Sequence, residues 1–211
     1  MIQVRDENGS LLLSSDSLPR GRALLLHGYG QSRYEMLPLA TRLAQGGWEV
    51  LAPDLPGHGS SSELLSPASV QAFLLARKGE PAPDLVIGHS LGARIAVALG
   101  GCPRVIAISP PVESRFDEST RAELLGYLRP RWVREEKPMA ALAELLRTLP
   151  MDSGGVESGL VLLAQNELSA VEAGTGLWRG RAAWTVERVR HTDHGSIHLS
   201  AATAERILSW T

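Results

Sequence analysis

One serine of this sequence, Ser90, has a setting that suits chemistry, with a glycine two positions before it and another two positions after it. Ser90 lies in Gly88-His89-Ser90-Leu91-Gly92, which fits the pattern G-x-S-x-G between an apolar strand-like segment and an apolar helix-like segment. In such a turn the serine occupies a strained backbone conformation, and its hydroxyl projects above the sheet. The amides at the start of the following helix suit a developing oxyanion. The pattern predicts a nucleophilic serine, and the alternative is a structural turn with a spectator serine.

The segments around this turn alternate between strand-like and helix-like patterns. Asn8-Gly9 separates two short strand patterns, which predicts a hairpin. Apolar runs that predict buried strands cover 23–26, 48–52, 85–87, 105–108, 160–163 and 184–186. Helical spacing covers 34–45, 67–78, 91–100 and about 200–209. Continuous apolar strands between helices indicate a parallel sheet that is covered on both faces.

Three motifs lie at the ends of expected strands. They are His27-Gly28-Tyr29-Gly30-Gln31-Ser32, Asp54-Leu55-Pro56-Gly57-His58-Gly59-Ser60 and Gly88 to Gly92. In this order they resemble the α/β-hydrolase family, and the resemblance covers roughly residues 20–110. It implies an α/β fold of the α/β-hydrolase type, with a mostly parallel central sheet, helices on both faces and a small helical cap.

The resemblance also implies roles for particular residues. Ser90 would be the nucleophile, and the backbone N–H groups of Tyr29 and Leu91 would form the oxyanion hole. Asp54 and His58 are expected to be scaffold, because an Asp before a Pro-Gly turn can bind nearby amides and order the loop.

A serine hydroxyl is a poor nucleophile unless a base accepts its proton. Three of the six histidines, His191, His194 and His198, lie in one segment near the end of the chain, where the resembling family carries its base. His194 is the predicted base, because an Asp before it and a Gly after it describe a loop. His191 could still belong to the preceding strand and His198 could open the final helix, each as a solvated or capping histidine.

The acid is where the sequence departs from the family. The family carries an Asp shortly after the strand that follows the cap, whereas residues 164–169 read Ala-Gln-Asn-Glu-Leu-Ser. Glu167 is the predicted acid, since it is the carboxylate nearest that turn and its longer side chain could reach His194. Glu113 is the alternative acid, and Glu172 is expected on a helix surface. A weakened triad or a noncatalytic relative is the remaining alternative.

Residues 110–152 lack an evident strand and are expected to form a short helical cap within a single domain of 1–211. Amphipathic patterns predict two cap helices, at 118–128 and 138–149. Their inner faces would line a small, mostly apolar pocket above Ser90, which suits an acyl chain or a small ester.

Three further side chains are candidates for that pocket. Trp132 and Trp178 could line it, with plain packing as the alternative. Arg94 follows the nucleophile turn, and in lyase-type relatives of the menaquinone pathway an arginine near this place contacts an acidic substrate. Because one residue is a weak resemblance, an exposed arginine on the helix is the favoured interpretation.

Composition narrows the class of protein. The 211 residues suit one domain, and 44% hydrophobic with 21% charged residues is ordinary for a globular chain. A net charge of −2 leaves no basic excess for nucleic acid, so no such partner is expected. No apolar run approaches the ~20 residues of a membrane span, so we expect no membrane partner. The single cysteine, Cys102, is expected to be buried, and a cytoplasmic location is predicted.

Together these patterns predict a serine hydrolase that cleaves small or medium carboxylic esters or thioesters through an acyl-enzyme on Ser90. The expected partner is a small-molecule acyl substrate, and neither a metal nor an organic cofactor is expected. One alternative is a C–C bond hydrolase or lyase of the same fold. Another is a noncatalytic binding protein with an α/β-hydrolase-like fold.

Overall fold

The computed structural model describes residues 1–79, 81–112, 122, 133–135, 137–151 and 154–211. Its strands are β1 (Ile2–Glu7), β2 (Ser10–Ser15), β3 (Gly21–Leu26), β4 (Trp48–Pro53), β5 (Leu85–His89), β6 (Arg104–Ile108), β7 (Ser158–Asn166) and β8 (Trp184–Asp193). Its described helices are α1 (Leu37–Gln45), α2 (Pro67–Gly79), α3 (Leu91–Leu99), α4 (Pro138–Thr148), α5 (Ser169–Glu172), α6 (Thr175–Arg179) and α7 (Ala201–Trp210). Short 3-10 turns precede α1, at Arg33–Met36, and α7, at Ile197–Leu199.

One sheet contains all eight strands, in the order β1-β2-β4-β3-β5-β6-β7-β8. β1 and β2 form the predicted hairpin, whose turn residues Asn8 and Gly9 have φ of 50° and 73° as a tight two-residue turn requires. β2 is antiparallel to β4, and every pair from β4 to β8 is parallel. The sheet is therefore mostly parallel, as predicted, and its parallel strands end at one edge.

Both faces of the sheet carry a hydrophobic core, which explains why the central strands are almost wholly apolar. On one face, α1 and α7 contribute the buried side chains of Leu43 and Ile207. On the other face, α2, α3 and α4 contribute those of Leu74, Ile95 and Leu145. The prediction of a doubly covered α/β sheet is confirmed.

The region expected to form a cap is described only in part. The helix predicted at 138–149 is present as α4 and packs into the core. The helix predicted at 118–128 lies almost wholly outside the described residues, so the cap of 110–152 and the single domain of 1–211 stay predictions. Beyond this region, β8 is longer than the pattern at 184–186 predicted, and α5 and α6 were not predicted.

Candidate active site

Ser90 stands at a sharp turn between β5 and α3. Its φ of 53° and ψ of −115° place a residue with a side chain in the left-handed region, which is a strained conformation. The turn is held because the Ser90 amide donates to the Ile108 carbonyl on β6 at 2.8 Å, while the Ser90 carbonyl accepts from the Ala93 amide in the first turn of α3. The hydroxyl is thereby presented at the edge where the parallel strands end.

The two glycines of the turn are required by close backbone contacts. A Cβ on Gly88 would lie 2.2 Å from the Gly92 carbonyl oxygen, and a Cβ on Gly92 would lie 2.2 Å from the Leu26 carbonyl oxygen on β3. No side chain fits at either distance. The pattern G-x-S-x-G therefore reports a physical constraint, which is the tight packing of α3 against β3 and β5.

His194 lies between Ser90 and a carboxylate. Its Nε2 is 3.1 Å from Ser90 Oγ, and its Nδ1 is 2.6 Å from Glu167 Oε1. The histidine follows β8 directly and sits in a turn that Asp193 and Ser196 close through mutual hydrogen bonds. This line of hydroxyl, imidazole and carboxylate has the order and spacing of a nucleophile, its base and the group that orients the base.

Glu167 is the first residue after β7, and its side chain is fully buried. Oε2 accepts from the Ser109 hydroxyl at 2.5 Å and from the Ala164 amide at 3.0 Å, and Oε1 also accepts from the Leu168 amide. Burial alone would raise the pKa of Glu167, but the hydrogen bond and charge of His194, with the bonds from Ser109 and Ala164, lower that pKa below its ordinary value. The carboxylate is thus held ionised opposite His194.

The register of β7 and β8 brings Glu167 and His194 together. Asn166 pairs with Asp193, and Glu167 and His194 are the residues that follow this pair. A register irregularity between Ala164 and Asn166 lies immediately before it. Glu167 and His194 therefore leave neighbouring strands at the same height.

The alternatives for the triad have different outcomes. Glu113 lies outside the described residues. Glu172 is on the exposed surface of α5 and pairs with Arg188, as expected. His191 is exposed on β8, as expected. His198 lies in the 3-10 turn just before α7, close to the helix start where it was expected, but its ring is buried against His89 and Gln31 and is not solvated.

The predicted oxyanion residues, Tyr29 and Leu91, follow the ends of the neighbouring strands β3 and β5. Leu91 is the first residue of α3, where helical amides have no acceptor within the helix. Tyr29 lies in the loop after β3, which is the strand next to β5. That loop is ordered by Gln31, whose Oε1 accepts from the Gly28 amide at 2.7 Å. The role of these two amides stays a prediction.

Asp54 has the scaffold environment that the sequence predicted. Its carboxylate accepts from the backbone amides of Arg33 and Ser60, each at 2.8 Å, and pairs with the Arg33 guanidinium, a partner that the sequence did not reveal. The rings of His27 and His58 contact each other edge to face with centroids 5.2 Å apart, and His27 Nε2 accepts from the Leu55 amide at 3.0 Å. Burial, and then the charge of His58, lower the pKa of His27 to about 3, so this ring is neutral.

Arg94 corrects an expectation, because its side chain is fully buried instead of exposed. α3 packs against β5, β6 and α2, and every residue of α3 is buried. The guanidinium donates to the carbonyls of Pro111 at 3.1 Å and Leu149 at 2.8 Å, which ties α3 to the end of α4. Burial, and then the charge of Arg181, lower the pKa of Arg94 to about 10.

The two tryptophans proposed for the pocket have separate outcomes. Trp178 is buried and packs on Trp184 with ring centroids 4.8 Å apart, which supports the packing alternative. Trp132 lies outside the described residues.

Some arrangements are not found in the described ranges. Within them, no group of three or more His, Cys, Asp and Glu side chains is placed to hold a metal ion. In the same ranges, no helix combines the length and apolar character that crossing a bilayer requires. Cys102 is buried, as its apolar surroundings predicted.

The sequence pattern of the alpha/beta hydrolase family matches residues 23–207, so this chain belongs to that family. It is 34% identical over 99 residues to the 30 kDa subunit of magnesium chelatase from Rhodobacter capsulatus, covering 43% of this chain and 34% of that protein. It is 29% identical over 134 residues to a monoacylglycerol lipase from Mycolicibacterium smegmatis, covering 54% of this chain and 48% of that protein. Both matches span less than half of the relative's length.

Solved structures share the fold at lower sequence identity. A structure from the study of LipS and LipT, two metagenome-derived lipolytic enzymes, superposes with a TM-score of 0.71 at 18% identity, covering 99% of this chain and 98% of that one. At this identity the similarity establishes the fold alone.

Proposed function

We propose that this protein is a serine hydrolase that cleaves small or medium carboxylic esters or thioesters through an acyl-enzyme on Ser90. The observation that carries the proposal is the line from Ser90 Oγ through His194 to Glu167, with separations of 3.1 and 2.6 Å, at a strained strand-to-helix turn. Membership of the alpha/beta hydrolase family supports it, as does the match to a monoacylglycerol lipase.

In the proposed reaction, Ser90 Oγ attacks the acyl carbon while His194 Nε2 accepts the hydroxyl proton. Glu167 stabilises the imidazolium, and the amides of Tyr29 and Leu91 donate to the tetrahedral oxyanion. The carbon–oxygen or carbon–sulfur bond then breaks, and the alcohol or thiol leaves with the proton from His194. Water attacks the acyl-enzyme, again losing a proton to His194, and the carboxylic acid is released as Ser90 is reprotonated.

The test compares the wild type with Ser90→Ala on p-nitrophenyl acetate and p-nitrophenyl butyrate. We expect Ser90→Ala to lower kcat at least ~10³-fold, because the nucleophile is lost while the fold is kept. Ser62→Ala is the matched control, since Ser62 is exposed, and it should retain full activity. Equal activity in the wild type and Ser90→Ala would contradict the proposal.

Covalent labelling distinguishes the noncatalytic alternative. A fluorophosphonate probe should label the wild type and Ser62→Ala but not Ser90→Ala, because the activated hydroxyl attacks phosphorus as it attacks an acyl carbon. A wild-type protein that is folded but never labelled would favour a binding protein. A protein that is labelled but inactive on a panel of small and medium acyl esters and thioesters would instead favour the C–C hydrolase or lyase alternative.

A further inference from the structure

Three loops meet beside the Ser90–His194 pair through a cluster of half-buried Gln31 and the buried histidines His89 and His198. Gln31 comes from the loop after β3, His89 is the last residue of β5, and His198 lies in the 3-10 turn after His194. Both histidine rings are nearly inaccessible to solvent and stack with centroids 4.1 Å apart and an angle of 21° between their planes. The proposed reaction uses no side chain of this cluster.

His89 contacts the backbone of the proposed base. Its Nε2 is 2.9 Å from the carbonyl oxygen of His194, and its Nδ1 is 3.2 Å from Gln31 Oε1. Both neighbours are oxygens, and Gln31 Oε1 is identified as the oxygen because it accepts the Gly28 amide at 2.7 Å. A neutral imidazole has one N–H, so it can donate to only one of them.

The proton of His89 belongs on Nε2. That nitrogen has the shorter contact, 2.9 Å to the backbone carbonyl of His194 against 3.2 Å from Nδ1 to Gln31 Oε1. Burial, followed by the charges of His198, His194 and His27, holds the pKa of His89 well below its ordinary value, so the doubly protonated form is disfavoured. Neutral His89 therefore donates one directional hydrogen bond, to the residue that faces Ser90.

Gln31 connects the same cluster to the loop of the predicted oxyanion amide. Its Oε1 holds the Gly28 amide, next to Tyr29, and its Nε2 lies 3.4 Å from Nε2 of His198. The loop after β3, the Ser90 turn and the His194 turn are thus joined by side chains of one small cluster.

We propose that His89 is a positioning residue for the base, and that its Nε2–H bond to the His194 carbonyl sets the distance between the His194 ring and Ser90 Oγ. The inference rests on the proposed function, since it assigns how that Ser–His pair is held. A displacement of about 1 Å between reacting groups can cost ~10²-fold in rate. The bond should therefore affect kcat more than substrate binding.

The test uses two replacements of similar length at position 89. His89→Gln retains a donor that can reach the His194 carbonyl, whereas His89→Met does not. We expect kcat for p-nitrophenyl butyrate to fall ~10- to 100-fold in His89→Met, with KM within about twofold of wild type, and to fall at least ~5-fold less in His89→Gln. The rate of fluorophosphonate labelling should follow kcat, because it reports the Ser90–His194 pair without the ester.

A purely structural role predicts a different pattern, in which kcat per folded molecule is equal in the two variants. Thermal unfolding gives the folded fraction for that correction. If His89→Met does not fold, His89→Phe replaces it, because a phenyl ring keeps the stack on His198 and removes the donor. Equal kcat in the donor and non-donor variants, or a change in KM alone, would overturn the positioning role. Activity retained in Ser90→Ala would instead overturn the proposed function, whatever the variants at position 89 do.

Discussion

Two loops of this molecule bury a carboxylate against a basic side chain. In one loop the basic side chain is always charged, and in the other it is a histidine, whose charge depends on protonation. Asp54, after β4, and Glu167, after β7, have side chains that are 1% and 0% exposed. Each accepts from two backbone amides and from one serine hydroxyl. The basic partner is Arg33 for Asp54 and His194 for Glu167.

The choice of partner separates a structural role from the proposed catalytic one. Arg33 is charged in every state, so its attraction to Asp54 stabilises the fold and is the same at each step of a reaction. In the proposed reaction His194 gains a positive charge as it accepts the Ser90 proton, so the full attraction to Glu167 would develop with the transition state. An interaction that strengthens there accelerates the reaction. The same buried carboxylate environment is thus used for stability in one loop and, we propose, for rate in the other.

The largest effect is expected for Glu167→Gln, and it should be an effect on catalysis. We expect kcat to fall ~10³- to 10⁴-fold, because an amide neither fixes the imidazole tautomer nor stabilises the imidazolium. KM should stay within a few-fold. Steady-state kinetics on p-nitrophenyl butyrate measure both values, and circular dichroism checks the fold. Retention of kcat within tenfold would mean that Glu167 is not the acid.

Asp54→Asn should show the opposite profile. The free energy of unfolding should fall by about 3 kcal/mol, because the buried Arg33 guanidinium loses its main counter-ion. kcat per folded molecule should change less than tenfold. Urea unfolding, with kinetics below the transition, separates the two quantities. A large loss of kcat in a fully folded Asp54→Asn protein would place this loop in the catalytic machinery.

Acid should destabilise the protein first through its buried histidines. Burial, and then the charge of His194, lower the pKa of His198 to about 4. His198 therefore binds a proton below about pH 6.5 in the unfolded chain, but only below about pH 4 in the folded protein. This contribution to stability is complete above about pH 6.5 and is lost as the pH falls to about 4, by about 3 kcal/mol for this group.

The two carboxylates contribute below that window. Burial would raise the pKa of Asp54, but the amide bonds of Ser60 and Arg33 and the Arg33 charge lower it, and the pKa of Glu167 is lowered as well. Their stabilisation is present above about pH 4 and is lost at lower pH. We expect urea midpoints, measured from pH 8 to 3, to depend less on pH between about 6.5 and 4 in His198→Gln than in the wild type. His191→Asn, at an exposed site, should keep the wild-type pH dependence. An unchanged slope in His198→Gln would refute the assignment.

The smallest effect is expected for a carboxylate that is paired but exposed. Glu172 makes two hydrogen bonds to Arg188, and its side chain is 41% exposed. Glu172→Gln should change the free energy of unfolding by less than about 1 kcal/mol and leave kcat unchanged. A loss as large as that of Asp54→Asn would show that such a pair stabilises the protein equally whether it is buried or exposed.

The sequence predicted those parts of the site that depend on neighbours along the chain. Gly88 and Gly92 mark the turn because the backbones of β3 and α3 leave no room for a Cβ. Glu167 was predicted because it is the carboxylate nearest the turn at which the α/β-hydrolase family carries its acid.

The parts that the sequence did not reveal depend on distant contacts. Ser109 donates to Glu167 from 58 positions away, and the His89–His194 contact spans 105 positions, so no periodicity reports them. The burial of Arg94 did have a signal, since its neighbours on α3 are apolar on every side. Its acceptors, the carbonyls of Pro111 and Leu149, could not be read from side-chain types.

The pairing of Asn166 with Asp193 has a consequence for how this chain can change length. Glu167 and His194 meet because each is the first residue after this pair of sheet residues. Removing Gln165, at the irregular position before the rung, would bring Leu168 to the height of His194 in place of Glu167. A deletion of one residue here should therefore abolish the acid–base contact while every side chain of the triad remains in the protein. Substitutions in this segment keep Glu167 directly after the Asn166–Asp193 pair, whereas insertions and deletions move it.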